Sequence, residues 1–461
     1  MNQSIIVWFR QDLRLSDNPA LYEASKQADK KIIPLYILDD ENAGPWKIGG
    51  ASRVWLHHSL KALNESLNGK LIIKKGDAKK VLADLIKNES IDAVYWNRCY
   101  EPWRIKRDED IKQNLGVECK SFNGSLLWEP WTIKNQQGGP YKVFTPFYRK
   151  GCMNAPAPRE PISKPNPINL QEDIQSDGVD SLELLPKINW HRNMANHWTI
   201  GEKGAQGKLG AFLAHGLNDY KEGRNFPAKN NVSQLSPYLH FGEISPHQVW
   251  YAADIQGKEQ RLEKDLGHFH SELGWREFSN SLLYHFPTLP TEPFQEKFAD
   301  FPWTEDDASL EKWRKGETGY PIVDAAMREL WETGYMHNRC RMVVGSFLVK
   351  NMLLHWHEGE KWFWDTLIDA DLANNSASWQ WIAGCGADAA PYFRIFNPVL
   401  QSKRFDPDGD YIRKWVPELK DVPNKHIHEP WEHDIKGYPK PILDHGESRD
   451  RALAAYEKIK G

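Results

Sequence analysis

The first 122 residues alternate short runs rich in β-branched and aromatic residues with amphipathic segments, and no other feature limits the fold of this chain so strongly. The strand candidates are Ser4–Phe9, Ile32–Leu38, Leu71–Lys74, Ala93–Trp96 and Val117–Phe122. Between them Leu56, Leu60, Leu63 and Leu67 recur every three or four residues, and Val81, Leu82, Leu85 and Ile86 follow Asp77, a residue suited to capping a helix. Such alternation predicts an α/β domain built on a doubly wound, parallel, five-stranded sheet with right-handed crossovers. Neither a GxGxxG nor a Walker A run accompanies it, so this region by itself assigns no nucleotide.

Periodicity weakens between Asn123 and Gly204, and Ala155–Pro167 (APAPREPISKPNP) is too rich in proline for helix or for most strand pairing. From Ala205 onward nearly every segment reads as helix: Ser245 is a cap with Pro246 in the first helical position, and Glu259–His285 and Met336–Trp356 are long amphipathic runs. The expected organisation is an α/β domain over 1–130, a connector over 131–204 and an all-α domain over 205–461. A chain of 461 residues exceeds what one hydrophobic core usually holds.

Five scattered cysteines, an odd number without CxxC spacing, argue against disulfides and zinc and for a reducing compartment. His268/His270 and His355/His357 are two residues apart and would point to different helix faces, so no metal is expected. Met1 leads directly into Ile5-Ile6-Val7-Trp8-Phe9 without a charged leader, and no apolar run approaches membrane-spanning length, so a soluble cytosolic monomer with no membrane partner is expected. The net charge of −4 excludes coating of nucleic acid by bulk charge but not a local basic groove. Tryptophan, at 21 residues, outnumbers both tyrosine and phenylalanine. Most of these rings should be core, leaving a few for chemistry.

The opening run Trp8-Phe9-Arg10-Gln11-Asp12-Leu13-Arg14-Leu15-Ser16-Asp17-Asn18-Pro19-Ala20-Leu21 resembles the start of the photolyase/cryptochrome family. The resemblance continues in order through Gly223–Pro227, Leu239–Pro246, Trp275–Phe278, Gly319–Arg328, Met336–Arg339 and Ala389–Pro398. It is strongest to the class I cyclobutane pyrimidine dimer photolyases. It implies that the all-α domain binds FAD, active as FADH⁻, and that the partner is damaged DNA containing pyrimidine dimers in a bacterial nucleoid. The implied activity is that of a deoxyribodipyrimidine photo-lyase, with a blue-light cryptochrome or a (6-4) photolyase as alternatives.

Taken alone, Asp369–Trp381 (DADLANNSASWQW) reads as a helix cap, a turn and core tryptophans. The resemblance instead places Asp369, Ala370 and Asp371 beside the flavin and Asn375 facing its N5, where an amide accepts a proton-bearing nitrogen and favours reduced flavin. Arg341 is implied as the partner of Asp369. Further FAD contacts map to Tyr220 and to Val232, Ser233, Gln234, Leu235 and Ser236, a loop suited to pyrophosphate that departs from the commoner Thr-Ser-Arg-Leu-Ser pattern. Trp379, Trp356 and Trp303 match the family's electron-transfer triad.

The implied lesion pocket comprises Glu272, Trp275, Asn338, Met342 and Trp381, with Glu272 and Asn338 also near the flavin. Aromatic walls offset the stacking that a flipped dinucleotide loses. Met342 stands where (6-4) photolyases carry a histidine. The expected DNA contacts are Arg224, Trp275, Arg276, Asn338, Arg339, Arg394, Gln401, Lys403 and Arg404. For the antenna, Glu101-Pro102-Trp103-Arg104 stands where folate-binding members have an Asn-Glu pair. The first choice there is 5,10-methenyltetrahydrofolate, with Trp103 stacked on its pterin; a deazaflavin, a second flavin or an empty site are the alternatives.

Overall fold

In the computed structural model, which describes residues 3–172, 174–433 and 435–460, β1 (Ser4–Phe9) is buried at every position. A central parallel strand covered on both faces requires that. It pairs in parallel with β2 (Lys31–Leu38) on one side and β4 (Ile91–Asn97) on the other. Beyond them lie β3 (Ile72–Lys75) and the half-exposed edge strand β5 (Glu118–Phe122), giving the order β3-β2-β1-β4-β5. The expected α/β fold is therefore present, with strand ends moved by a residue or two. Ile6, Trp8, Ile33, Leu35, Val94 and Trp96 pack in one cluster against the Ala78–Asn88 helix. Each large apolar side chain buried there contributes roughly 1.5–3 kcal/mol.

The strand order reverses between β1 and β4, and the loop after β1 is laid over that point. Asp12 accepts from Arg10 N (2.6 Å) and Asn97 Nδ2 (2.6 Å), and Arg10 donates to Asp108 (2.8 Å) and to the Asn97 carbonyl. Arg14, 1% exposed, spends its guanidinium on main-chain carbonyls: Gly242 (2.8 Å), Gly124 (2.7 Å) and Asp17 (2.7 and 3.1 Å). Gly242 has φ +67, and a Cβ there would lie 2.0 Å from the Gln11 carbonyl, so only glycine allows this approach. The opening block of the resemblance is thus a structural tie between distant segments.

After the proline-dense stretch the chain adds a bridge beside β2, where Ile32 N donates to Asn169 O (2.7 Å) and Gln171 N to Ile32 O (2.8 Å). The described chain forms two compact units. One comprises Met1–Tyr141, Thr145–Ala214 and Ser233–Pro287, and the other Lys142–Phe144, His215–Val232 and Thr288–Gly461.

In the first unit Pro246–Glu259 and Glu263–His285 are separate helices around Arg261 (φ +57), so the expected run begins four residues after Glu259. Helices also supply the second unit, where one expected run is interrupted. The run from Met336 becomes the Asn338–Ser346 helix, a π-helical turn over Phe347–Asn351, a break at Leu353 (φ +58) and a new helix from Trp356. His355 makes that new start by accepting from His357 N at 3.1 Å, an end signal that hydrophobic periodicity does not encode. Cores of this unit join Trp313, Val343, Val344, Phe347, Leu348 and Trp356. No described helix is long and apolar enough to cross a membrane.

Candidate flavin and lesion residues

Asp371 and Asp369, two residues apart, do different work. Asp371 caps the Leu372–Ala383 helix, accepting from Asn374 N at 2.8 Å. Asp369, 8% exposed, takes Arg341 Nη2 at 2.8 Å, while Arg341 Nε donates to Met336 O (2.8 Å). Burial opposes the charge on Arg341, but Asp369 overcomes it and raises the guanidinium pKa. The pair is therefore a fixed, largely buried couple and not a surface salt bridge. Ala370 lies buried between the two aspartates.

Asn375 sits one turn into the capped helix. Its Nδ2 donates to the Glu360 carbonyl at 3.0 Å, so the amide is turned with Oδ1 directed away as an acceptor. Ser376 Oγ donates to Glu360 Oε1 at 2.6 Å. Burial pushes the Glu360 carboxyl up to about 8, against the opposing Ser376 hydrogen bond, and removes a negative charge from beside Asn375 at neutral pH. Sequence reasoning missed Glu360 because it acts through its main chain from another helix.

The tryptophans of the expected triad share one unit. Trp379 (3% exposed) presses on the Trp356–Thr366 helix so closely that a Cβ on Gly359 would lie 2.0 Å from its ring. Trp356 (1%) opens that helix, and His355 stands between Trp356 (5.6 Å between ring centroids) and the half-buried Trp303 (5.2 Å). The two histidines read as pointing apart, His355 and His357, have ring centroids 4.6 Å apart because His355 is a cap outside the helix.

His337 caps the Asn338–Ser346 helix through Nδ1, taking Arg339 N at 3.2 Å. Burial first, then Arg224, Arg339 and Arg341, hold its pKa down to about 3, so the ring is neutral. The cap presents Asn338 exposed on the first turn, with Arg339 Nη1 reaching Met342 Sδ (3.7 Å). Trp381 is half-buried near the end of the Leu372–Ala383 helix. In the other unit Glu272 and Trp275, three residues apart and half-buried, share a face of the Glu263–His285 helix. Arg276 is bound to the Ser125 carbonyl (2.7 Å) and Glu277 (3.3 Å).

Tyr220 is buried, with the Arg224 guanidinium 5.4 Å from its ring. Val232, Ser233 and Gln234 are half-buried and Leu235 is buried just ahead of Ser236, which opens a short helix. Arg339 stacks 4.2 Å from the Phe405 ring and donates to Asn225 (2.5 Å). Burial, then Arg224 and Arg404, lower its pKa, the mark of a like-charge cluster. Arg394 and Lys403 are exposed and Gln401 is half-buried. Lys403 is paired with Glu429.

A model described as the FAD binding domain of DNA photolyase matches residues 269–458, and one described as DNA photolyase matches residues 5–166. A protein of Agrobacterium fabrum named deoxyribodipyrimidine photo-lyase is 47% identical, the match covering 99% of this chain and 98% of that protein. The chain belongs to the photolyase/cryptochrome family. A solved structure titled a bacterial class III photolyase from Agrobacterium tumefaciens superposes with a TM-score of 0.95 at 46% identity, covering 100% of this chain and 98% of that one. Cryptochrome-2 of Arabidopsis thaliana is 35% identical over 100% of this chain and 80% of that protein.

FAD is the cofactor of the family's helical domain. The donor set here suits it: an oriented amide acceptor at Asn375, a buried ion pair at Arg341–Asp369 and a neutral Glu360 behind them. At the expected antenna position, Trp103 has the Arg104 and Arg107 guanidinium carbons 4.5 and 5.0 Å from its ring centre.

Proposed function

We propose that this family member is a light-driven repair enzyme that splits cyclobutane pyrimidine dimers in DNA, a deoxyribodipyrimidine photo-lyase. The orientation of Asn375 carries the reading: with Nδ2 held by the Glu360 carbonyl, Oδ1 is turned outward as an acceptor, which suits a protonated flavin N5. A reduced flavin held there would supply light-driven one-electron chemistry to the dimer, with no net redox change. Asn375 holds the N5 proton in place, and Arg341–Asp369 keeps a fixed charge pair nearby. Glu272 and Asn338 hydrogen-bond the dimer and stabilise the charge that develops on its oxygens, while Trp275 and Trp381 wall the flipped bases. Trp379, Trp356 and Trp303 carry electrons inward when the flavin is oxidised. Arg224 and Arg404 bring like charge to Arg339, and phosphates offset that repulsion. The proposal names the lesion and not the class within the family. Folate remains our choice of antenna, with Trp103 as the ring that stacks on its pterin.

The 35% identity to a cryptochrome favours a second reading, a blue-light receptor without turnover. Illuminating the purified, reduced protein with a dimer-containing oligonucleotide separates the two. Repair should exceed one dimer per protein, and Asn338→Ala or Glu272→Ala should lower the yield per photon severalfold while flavin absorbance is retained. Absence of dimer loss would favour the receptor, and full yield in both variants would remove the lesion assignment. Trp356→Phe should block photoreduction yet spare repair by chemically reduced protein.

A further inference from the structure

Lys208 lies on the Glu202–His215 helix and is half-buried. Its Nζ donates to Gln234 Oε1 at 2.9 Å and stands 5.4 Å from the Trp198 ring. Among the described residues no carboxylate comes within ion-pair reach of it. The nearest acid on its own helix, Glu202, is already committed, accepting from Leu15 N and Ser16 N at 2.9 Å each. An ammonium withdrawn from water without an anion is costly, and desolvation accordingly lowers the Lys208 pKa.

Its partner is one of the two residues, with Val232, at which the expected pyrophosphate loop departs from the family pattern. Gln234 is neutral where that pattern has arginine, and it holds φ +51, an uncommon conformation for glutamine. Ser233 Oγ accepts from Leu235 N at 3.4 Å, so the loop is folded on itself around the glutamine.

We propose that Lys208 supplies the cation for the FAD pyrophosphate, with the Gln234 amide oxygen holding the ammonium in position. The charge missing from the loop is supplied by the adjacent helix. The assignment rests on the FAD reading and adds a phosphate-binding residue to it.

The test is the rate of FAD release from purified full-length holoprotein, followed by the rise in flavin fluorescence at increasing salt. Lys208→Met should release FAD roughly tenfold faster at low salt, the size expected of one charge-assisted contact. The gap should close as salt rises, since salt screens only the wild-type cation, and Lys208→Arg should stay near wild type. Release from Lys208→Met at the wild-type rate would overturn the proposal. So would a defect that is equal at every salt concentration and shared by Lys208→Arg, because that marks a packing role. Wild-type protein that purifies without flavin and takes up none would instead overturn the FAD reading itself.

Discussion

Arg10, Arg14 and Arg107 in the sheet unit meet carboxylates and carbonyls of their own unit, whereas Arg339 in the helical unit is held beside the like charges of Arg224 and Arg404. Arg10, Arg14, Arg224 and Arg339 all lie in blocks that resemble the family. The structure separates them by what their charges meet. A guanidinium whose donors are all used inside the fold is a strut. One held beside like charges keeps its electrostatic energy for a ligand.

The sharpest way to break this comparison is Arg14→Met, which strands the carbonyls of Gly242, Gly124 and Asp17 without donors in a buried setting. A loss of about 3 kcal/mol is expected from donors removed at that burial, read as a lower denaturant midpoint and poor soluble yield. A variant as stable as wild type would make the motif something other than structural. Arg339→Ala is the complementary case. It should leave the denaturant midpoint nearly unchanged while weakening damaged-DNA binding about five- to tenfold and reducing the salt slope by about one. An unchanged slope would show that the cluster does not meet phosphate.

The smallest effect concerns Glu360, whose carboxyl is raised by burial from its ordinary value to about 8. An acid with a raised folded pKa contributes stability that is complete below its unfolded pKa and is lost as pH rises through the folded one. Wild-type melting temperature should therefore fall between about pH 4.5 and 8, and Glu360→Gln should flatten that fall by roughly 2 °C or more. Identical pH profiles for the two proteins would mean that Glu360 is ionised in the fold.

Much of this was legible in the residues. β1 could be read from Ser4–Phe9 because a strand buried on both faces is written as an unbroken apolar run. The Ser245–Pro246 helix start was equally plain, and a capping box with Gln248 completes it. The resemblance named Asn375, Asp369 and Arg341, but not which way the amide faces. The break that gives Trp356 its own helix was invisible, since Met352-Leu353-Leu354 carries the hydrophobic period across it.

Sequence by itself determined the strand–helix alternation, the proline interruption and the family, because hydrophobic periodicity, caps and family blocks are properties of neighbours along the chain. Only the tertiary structure decided how charges and amides are used. Glu360 turns Asn375 through a main-chain carbonyl. Lys208 meets Gln234 across 26 residues, and Arg14 reaches Gly242 across 228. Such pairings depend on which groups burial brings together and leaves without water, and no local pattern records that.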